Sequence, residues 1–281
     1  MEVFVAENAG FCFGVKRAVK IAFDAAENYA GQVHTLGPLI HNPQVVERLS
    51  EKGVKKVETI DQIGEGVVIL RSHGVSSPSV ITDAEQKGLR VVDATCPFVT
   101  NAQRYARQLV EEGYQVVMVG DRHHPEAQSV VGHSGGEILV TDKFEEIKKA
   151  LNKFSKKRLG LISQTTQTFE KFSEIVVRCL QICEEVKVFN TICYATEDSQ
   201  TEVHKMAEQV DAMVVVGGRN SANTTHLADI CREKGVRTCH IETAKEIQKE
   251  WFLGVEKVGV TAGASTPDWI IAEVVDSLKR I

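Results

Sequence analysis

Residues 91–109, "VVDATCPFVTNAQRYARQL", run from an apolar, β-branched stretch through Asp93, Ala94 and Thr95 into Cys96 and Pro97, where an amphipathic helical pattern begins. A strand that ends in a polar turn and hands over directly to a helix is the unit of parallel α/β architecture. The thiol at the junction calls for a reason, because a lone cysteine is ordinarily a small buried hydrophobe.

The same junction occurs twice more, in "ENAGFCFGVKRAVKIA" around Cys12 and in "FNTICYATEDSQTEVHKM" around Cys193. Counting onward, a strand ending in glycine leads to "LGPLIHNP" with His41, "VGDRHHPE" with His124 and "VGGRNSAN" with Ser221, at 29, 28 and 28 residues past the respective cysteines. Further along come "LRSHGVSS" with His73, "LISQTTQT" with Gln164, Thr165 and Thr166, and "VTAGASTP" with Ser265, each at a strand end before a helix. Self-similarity at a fixed period is the mark of a repeat architecture.

The expected fold is therefore α/β: three similar parallel-sheet units with pseudo-threefold symmetry. Their boundaries fall at residues 12–95, 96–192 and 193–281. Four strand-like runs separate Cys12 from Cys96 ("VHTLG", "VKKV", "VVILRS", "RVVDAT"), and four more separate Cys96 from Cys193 ("VVMVG", "EILVT", "LGLIS", "KVFN"). The last unit holds three, so the N-terminal run "EVFVAE" within residues 1–11 is expected to complete its sheet. In open α/β sheets, ligands bind outside the carboxyl ends of the strands. If those ends face inward, the three cysteines converge and the polar turns line the cavity around them.

Composition narrows the function. The chain has 281 residues, 43% of them hydrophobic and 25% charged, with a net charge of -5, and no apolar run long enough to span a bilayer. Glu2 and Glu7 break the pattern of a secretion signal, which points to the cytoplasm and to reduced thiols. Nucleic-acid binding is not expected: basic clusters such as Lys156, Lys157 and Arg158 are local, and no broad cationic face accompanies them. A membrane partner is not expected either. An anionic small molecule remains compatible, held by hydrogen-bond donors and helix N-termini.

Three converging thiolates suit either a tetrahedral zinc with an open position or a cubane iron-sulfur cluster with one free iron. The cluster is the better match, since three equivalent arms fit three corners of a cube and the many polar turns exceed what a structural metal needs. Cys179 and Cys183, four apart on an apolar helical stripe, and Cys231 and Cys239, in a helix and an apolar strand, lie outside the repeat and read as core packing. His34, His133, His204, His226 and His240 likewise have no place in it.

His41, His73 and His124, with Ser221, Asn223 and Ser265, form a set able to gather a multiply charged anion. Glu126, two residues past His124, is either a helix-start carboxylate or, in a water-poor cavity, an acid with a raised pKa suited to donating a proton near neutrality. No Walker loop and no G-x-G-x-x-G after a strand is present.

The ordered set "GFCFGVKRAV", "GPLIHNPQVV", "SHGVS", "DATCPFVT", "HPE", "SQTT", "ICYAT", "NSAN" and "TAGASTPD" resembles the LytB/IspH family of 4-hydroxy-3-methylbut-2-enyl diphosphate reductases, across essentially the whole chain. The resemblance implies one [4Fe-4S] cluster on Cys12, Cys96 and Cys193. It implies diphosphate binding by His41, His73, His124, Ser221, Asn223 and Ser265. Glu126 would be the proton donor, with His124 also in the catalytic set, and Thr165 would relay or position the proton; Gln164, Thr165 and Thr166 would also contact the substrate. The implied reaction removes the hydroxyl of an allylic diphosphate with two electrons to give isopentenyl and dimethylallyl diphosphate, the last step of the non-mevalonate pathway. An external one-electron carrier such as a ferredoxin or flavodoxin would supply the electrons. Ala222 departs from the family pattern, where many members have a second serine. The rival expectations are a dehydratase using the same cluster without net electron transfer, a non-catalytic iron or redox sensor, and a zinc protein.

Overall fold

The computed structural model describes residues 1–29, 31–152 and 158–281; Lys156 and Lys157 of the basic cluster lie outside the described residues. The chain begins with strand β1 (Glu2–Val5) and helix α1 (Phe13–Asn28). A first series follows: β2 (Val33–Leu36), α2 (Pro43–Glu51), β3 (Val54–Val57), β4 (Val67–Leu70), α3 (Ser79–Gln86) and β5 (Arg90–Asp93). The second comprises α4 (Pro97–Glu111), β6 (Gln115–Val119), α5 (Pro125–His133), β7 (Ile138–Val140), α6 (Phe144–Leu151), β8 (Arg158–Ser163), α7 (Phe169–Leu180) and β9 (Glu185–Val188). The third comprises α8 (Tyr194–Ala207), β10 (Ala212–Val216), α9 (Ala222–Glu233), β11 (Arg237–Ile241), β12 (Lys257–Ala262) and α10 (Asp268–Leu278).

These strands form three parallel four-stranded sheets, ordered β3-β2-β4-β5, β7-β6-β8-β9 and β11-β10-β12-β1. The order is the same each time: second, first, third, fourth strand of the series. In the last sheet the fourth place belongs to β1, which pairs with β12 in the register Val3↔Val258.

Each series alternates strand and crossover because parallel strands need a long return path, which a helix supplies. Covered on both faces, the central strands are continuous apolar runs, as in "VVIL" of β4 and "AMVVV" of β10, in which every residue is buried. In the middle sheet, Val117, Val119, Leu159 and Leu161 pack with Phe172, Ile175 and Cys179 of α7, whereas Val116, Met118 and Ile162 pack with Ala102, Ala106 and Leu109 of α4. The period-two alternation of the strands meets a helical stripe on either side. Edge strands carry charge instead, as in "VKKV" of β3 and "EVKV" of β9, which discourages further pairing.

By contact density the chain divides into two compact units. One contains Met1–Lys16, Ile40–Arg48 and Tyr194–Ile281, and so the sheet shared by β1 and β10–β12; the other contains Arg17–Leu39 and Leu49–Cys193, with the remaining two sheets.

One sequence expectation about local structure is corrected. Cys179 lies on α7 and is fully buried, but α7 ends at Leu180, so Cys183 falls in the turn beyond it. The Cys183 N–H still bonds the Cys179 carbonyl at 3.0 Å, and the side chain packs against the same apolar cluster. Cys231 is buried on α9, and Cys239 is part of β11.

Candidate active site

Cys12, Cys96 and Cys193 each immediately precede a helix: α1, α4 and α8. Cys96 is the N-cap of α4, with Pro97 at the first helical position, where its missing N–H costs nothing. The three backbones are tied in the same way. The Cys96 N–H donates to Ser72 O at 2.9 Å, Cys193 N–H to Thr165 O at 2.9 Å, and Cys12 N–H to Ala264 O at 3.2 Å. Each acceptor belongs to the polar turn after the third strand of its series, so every cysteine is hung from the turn that carries the candidate ligand groups.

A helix start is where negative charge is favoured, and all three thiols are partly exposed. Of the cysteines outside the repeat, burial pushes the thiols of Cys179 and Cys231 up to about 12, and that of Cys239 upward. Those are inert thiols.

In the unit that holds β2–β9, the acid and its partner are built from two strand-end turns. His124 caps α5: its Nδ1 accepts the Glu126 N–H at 3.2 Å, leaving the ring proton of the neutral form on Nε2. The His73 ring stands edge-on to His124, with centroids 5.5 Å apart. Pro125 and Glu126 occupy the first turn of α5, yet the Glu126 side chain is buried, at 2% exposure. The helix-start and buried-acid expectations therefore both describe this residue.

Among the described residues, the Glu126 carboxyl is hydrogen-bonded by Thr165 through both oxygens. Thr165 N–H donates to Oε1 at 2.7 Å and Thr165 Oγ1–H to Oε2 at 2.6 Å. Burial pushes the acid up to about 7, although the two Thr165 bonds pull the other way. Gln164 is committed to shaping this turn: its Oε1 accepts the Asp121 N–H at 3.1 Å and its Nε2 donates to Thr166 Oγ1 at 3.1 Å. Gly120 leaves room for it, since a Cβ there would lie 2.7 Å from Gln164 Oε1.

In the other unit, Ser265 Oγ donates to the His41 carbonyl at 3.1 Å, joining two of the candidate turns. Ser221 caps α9 by accepting the Thr224 N–H. Ala222 is the first helical residue, so its backbone N–H is among the donors a helix start leaves without an intrahelical partner. Asn223 is buried, and its Oδ1 has no hydrogen-bonding partner among the described residues. A buried polar atom left unmatched by protein is a natural contact for a ligand.

Several site-shaping residues escaped the sequence reading. Asn42, buried, accepts the Val45 N–H and caps α2; Asn-Pro ahead of an amphipathic run was a legible cap. Thr191 Oγ1 accepts the Ser163 N–H at 2.8 Å and donates to the Ser163 carbonyl, clamping the residue just before Gln164. Arg17 donates to the carbonyls of Thr95 and Asp93, bracing the turn into Cys96. Nothing local marks the last two, because their partners are distant in sequence.

Fold and site define a class: parallel α/β proteins of three like-ordered sheets, with a cysteine opening a helix in each series and a buried acid at one strand-end turn. Residues 3–279 match the family described as LytB protein, and the chain belongs to that family. It is 51% identical over 280 residues to a 4-hydroxy-3-methylbut-2-enyl diphosphate reductase of Geobacter sulfurreducens, covering 100% of this chain and 98% of the relative. It is 50% identical to the corresponding reductase of Geobacter metallireducens, with the same coverage. A solved structure of (E)-4-hydroxy-3-methyl-but-2-enyl diphosphate reductase, described as the terminal enzyme of the non-mevalonate pathway, superposes with TM-score 0.73 at 46% identity, covering 100% of both chains. The structure of the E-1-hydroxy-2-methyl-but-2-enyl-4-diphosphate reductase from Plasmodium falciparum shares the fold, with TM-score 0.94 at 24% identity over 99% of this chain and 88% of that one.

Proposed function

We propose that this protein reductively removes the hydroxyl of (E)-4-hydroxy-3-methylbut-2-enyl diphosphate, consuming two electrons and two protons and releasing water with isopentenyl or dimethylallyl diphosphate. The observation that carries the reading is the buried Glu126–Thr165 pair, an acid of pKa about 7 hydrogen-bonded to a hydroxyl. Losing an alcohol oxygen as water requires a proton at that oxygen, from a donor that is still protonated near neutrality.

The direction of transfer follows from the bonding. Thr165 N–H can only donate, so Oε1 of Glu126 stays an acceptor; when the acid is protonated its proton is on Oε2, and the bond with Thr165 Oγ1 reverses so that Oε2–H donates to it. Thr165 can then pass its own proton to a substrate hydroxyl while receiving that of Glu126. His41, His73, His124, Ser221, Asn223 and Ser265 are assigned to the diphosphate, with the helix-start N–H of Ala222 in place of a serine hydroxyl. Gln164 and Thr166 hold the turn that presents Thr165.

The chemistry of the donor set fits a [4Fe-4S] cluster: three partly exposed thiols, each directly ahead of a helix, whereas burial raises the thiols of Cys179, Cys231 and Cys239. Cys12, Cys96 and Cys193 would hold it, and when bound it would supply electrons and a Lewis-acidic iron. An external ferredoxin or flavodoxin is the assigned electron source. The three series are assigned to three α/β units, 12–95, 96–192 and 193–281 with 1–11, and the chain to the cytoplasm. No helix among the described residues is long and apolar enough to cross a membrane.

Anaerobic protein supplied with a reduced viologen and the hydroxylated diphosphate tests the reading. The expected result is viologen oxidation only when substrate is present, two electrons per product. A cluster-loaded protein that converts the substrate without reductant, or not at all, would overturn it.

A further inference from the structure

The first turn of α5 carries His124 and Glu126, and one turn further on Ser129 is fully buried, at 0% exposure. The turn bearing His73 lies on this part of the helix. Gly74, with φ of +76°, approaches so closely that a Cβ there would stand 2.3 Å from Ser129 Oγ. At Gly132 a Cβ would stand 1.7 Å from the Ser76 carbonyl oxygen, so the next turn of the helix also admits only hydrogen. On the far side, Arg71 Nε closes the turn by donating to Gly74 O at 3.1 Å.

A third element joins at the same point. Gln103, on the helix that starts at Cys96, donates from Nε2 to Ser129 Oγ at 2.8 Å, and the position of a Gly74 Cβ would be 3.2 Å from the same Nε2. We propose that Gln103 and Ser129 are positioning residues for substrate binding: their hydrogen bond forms the seat on which Gly74 rests, and so sets the His73 ring against His124. The inference rests on the assignment of those two histidines to the diphosphate. It adds two residues that touch no substrate.

Gln103→Met keeps the length of the side chain and removes the donor, leaving a buried hydroxyl unmatched. Ser129→Ala removes the acceptor, and the double variant removes both. In reconstituted full-length protein each single variant is expected to raise KM for the hydroxylated diphosphate about tenfold, the worth of one ordinary hydrogen bond, with kcat within about twofold. The double variant should be no worse than either single one, because both act through one contact. Unchanged KM in both single variants, or additive losses of kcat that track thermal stability, would overturn the proposal. A readout without turnover separates it from the reductase reading: Gln103→Met should move the ring resonances of His73 and His124 in histidine-labelled protein and leave those of His34 in place. If the wild type proves inactive, those resonances still decide whether the seat exists, and their failure to move would remove it.

Discussion

The proposed chemistry rests on the Glu126 carboxyl group, whose burial has a consequence for stability as well as for rate. The folded pKa, about 7, stands above the ordinary 4.5, so the folded state holds its proton over a range where the unfolded chain has lost it. The stability associated with this group is complete below about 4.5 and falls as pH rises through about 7, by about 3 kcal/mol in all. Denaturant unfolding of wild type and Glu126→Gln should show the wild type losing ground to the variant across that range. Turnover of the variant should fall by at least about a hundredfold, the usual worth of a positioned proton donor. In the wild type kcat/KM should decline above pH about 7, as the acid ionises. Thr165→Val removes the O–H bond to Oε2 that favours the charged form, so the fall in rate with pH should move to higher pH, on a reduced maximum. The candidate cysteines, histidines and Glu126 could be singled out because each lies in a polar stretch between an apolar run and a helical pattern. Thr191, Ser129 and Gln103 were not: a small polar residue on a helix or loop looks solvated until its distant partner is known.

At the scale of elements, the repeat is carried by hydrogen bonds as much as by sequence. "ETIDQI" at 58–63 and "ETAKEI" at 242–247 occupy the same place after β3 and β11. In both, the fifth side chain reaches back to two backbone N–H groups, Gln62 to Glu58 and Thr59, and Glu246 to Glu242 and Thr243. The shared pattern E-T-x-x-(Q/E)-I is written in the sequence of both segments. The approach to each cysteine varies more: residues 94–95, 189–192 and 6–11 separate the preceding strand from Cys96, Cys193 and Cys12. Loops of such different length reach a like position because the cysteine N–H is fixed by the neighbouring turn rather than by its own strand. The Thr191 clamp compensates in the series of Cys193. Thr191→Val should leave the buried Ser163 N–H unmatched and lower unfolding free energy by about 1–3 kcal/mol, measurable by denaturant titration.

The molecule as a whole shows where a repeat in sequence and a unit in space differ. The strand pattern recurs three times, yet the contacts gather into two compact units, with β1 and α8 onward together in one of them. The four strands of each sheet, with the N-terminal run completing the last, were readable from the spacing of apolar runs, whereas their order within the sheets was not. The sharing of residues 40–48 with the unit of the C-terminal sheet was not, since it depends on contacts such as that of Ser265 with His41. Because β1 is the only neighbour of β12 on that side among the described residues, removing residues 1–6 should strip an edge from this sheet and uncover Val258 and Val260. Circular dichroism during heating should report a lower midpoint for that truncation.

In the proposed reaction Cys12, Cys96 and Cys193 hold one [4Fe-4S] cluster between them. The direct measurement is iron and sulfide per chain after anaerobic reconstitution, in the wild type, in Cys12→Ser, Cys96→Ser and Cys193→Ser separately, and in Cys179→Ser. About four irons and four sulfides in the wild type and in Cys179→Ser, with loss of the full cluster in each of the other three, is the predicted result. Full loading in any one of those three variants, or a wild type that takes up zinc and no sulfide, would contradict it.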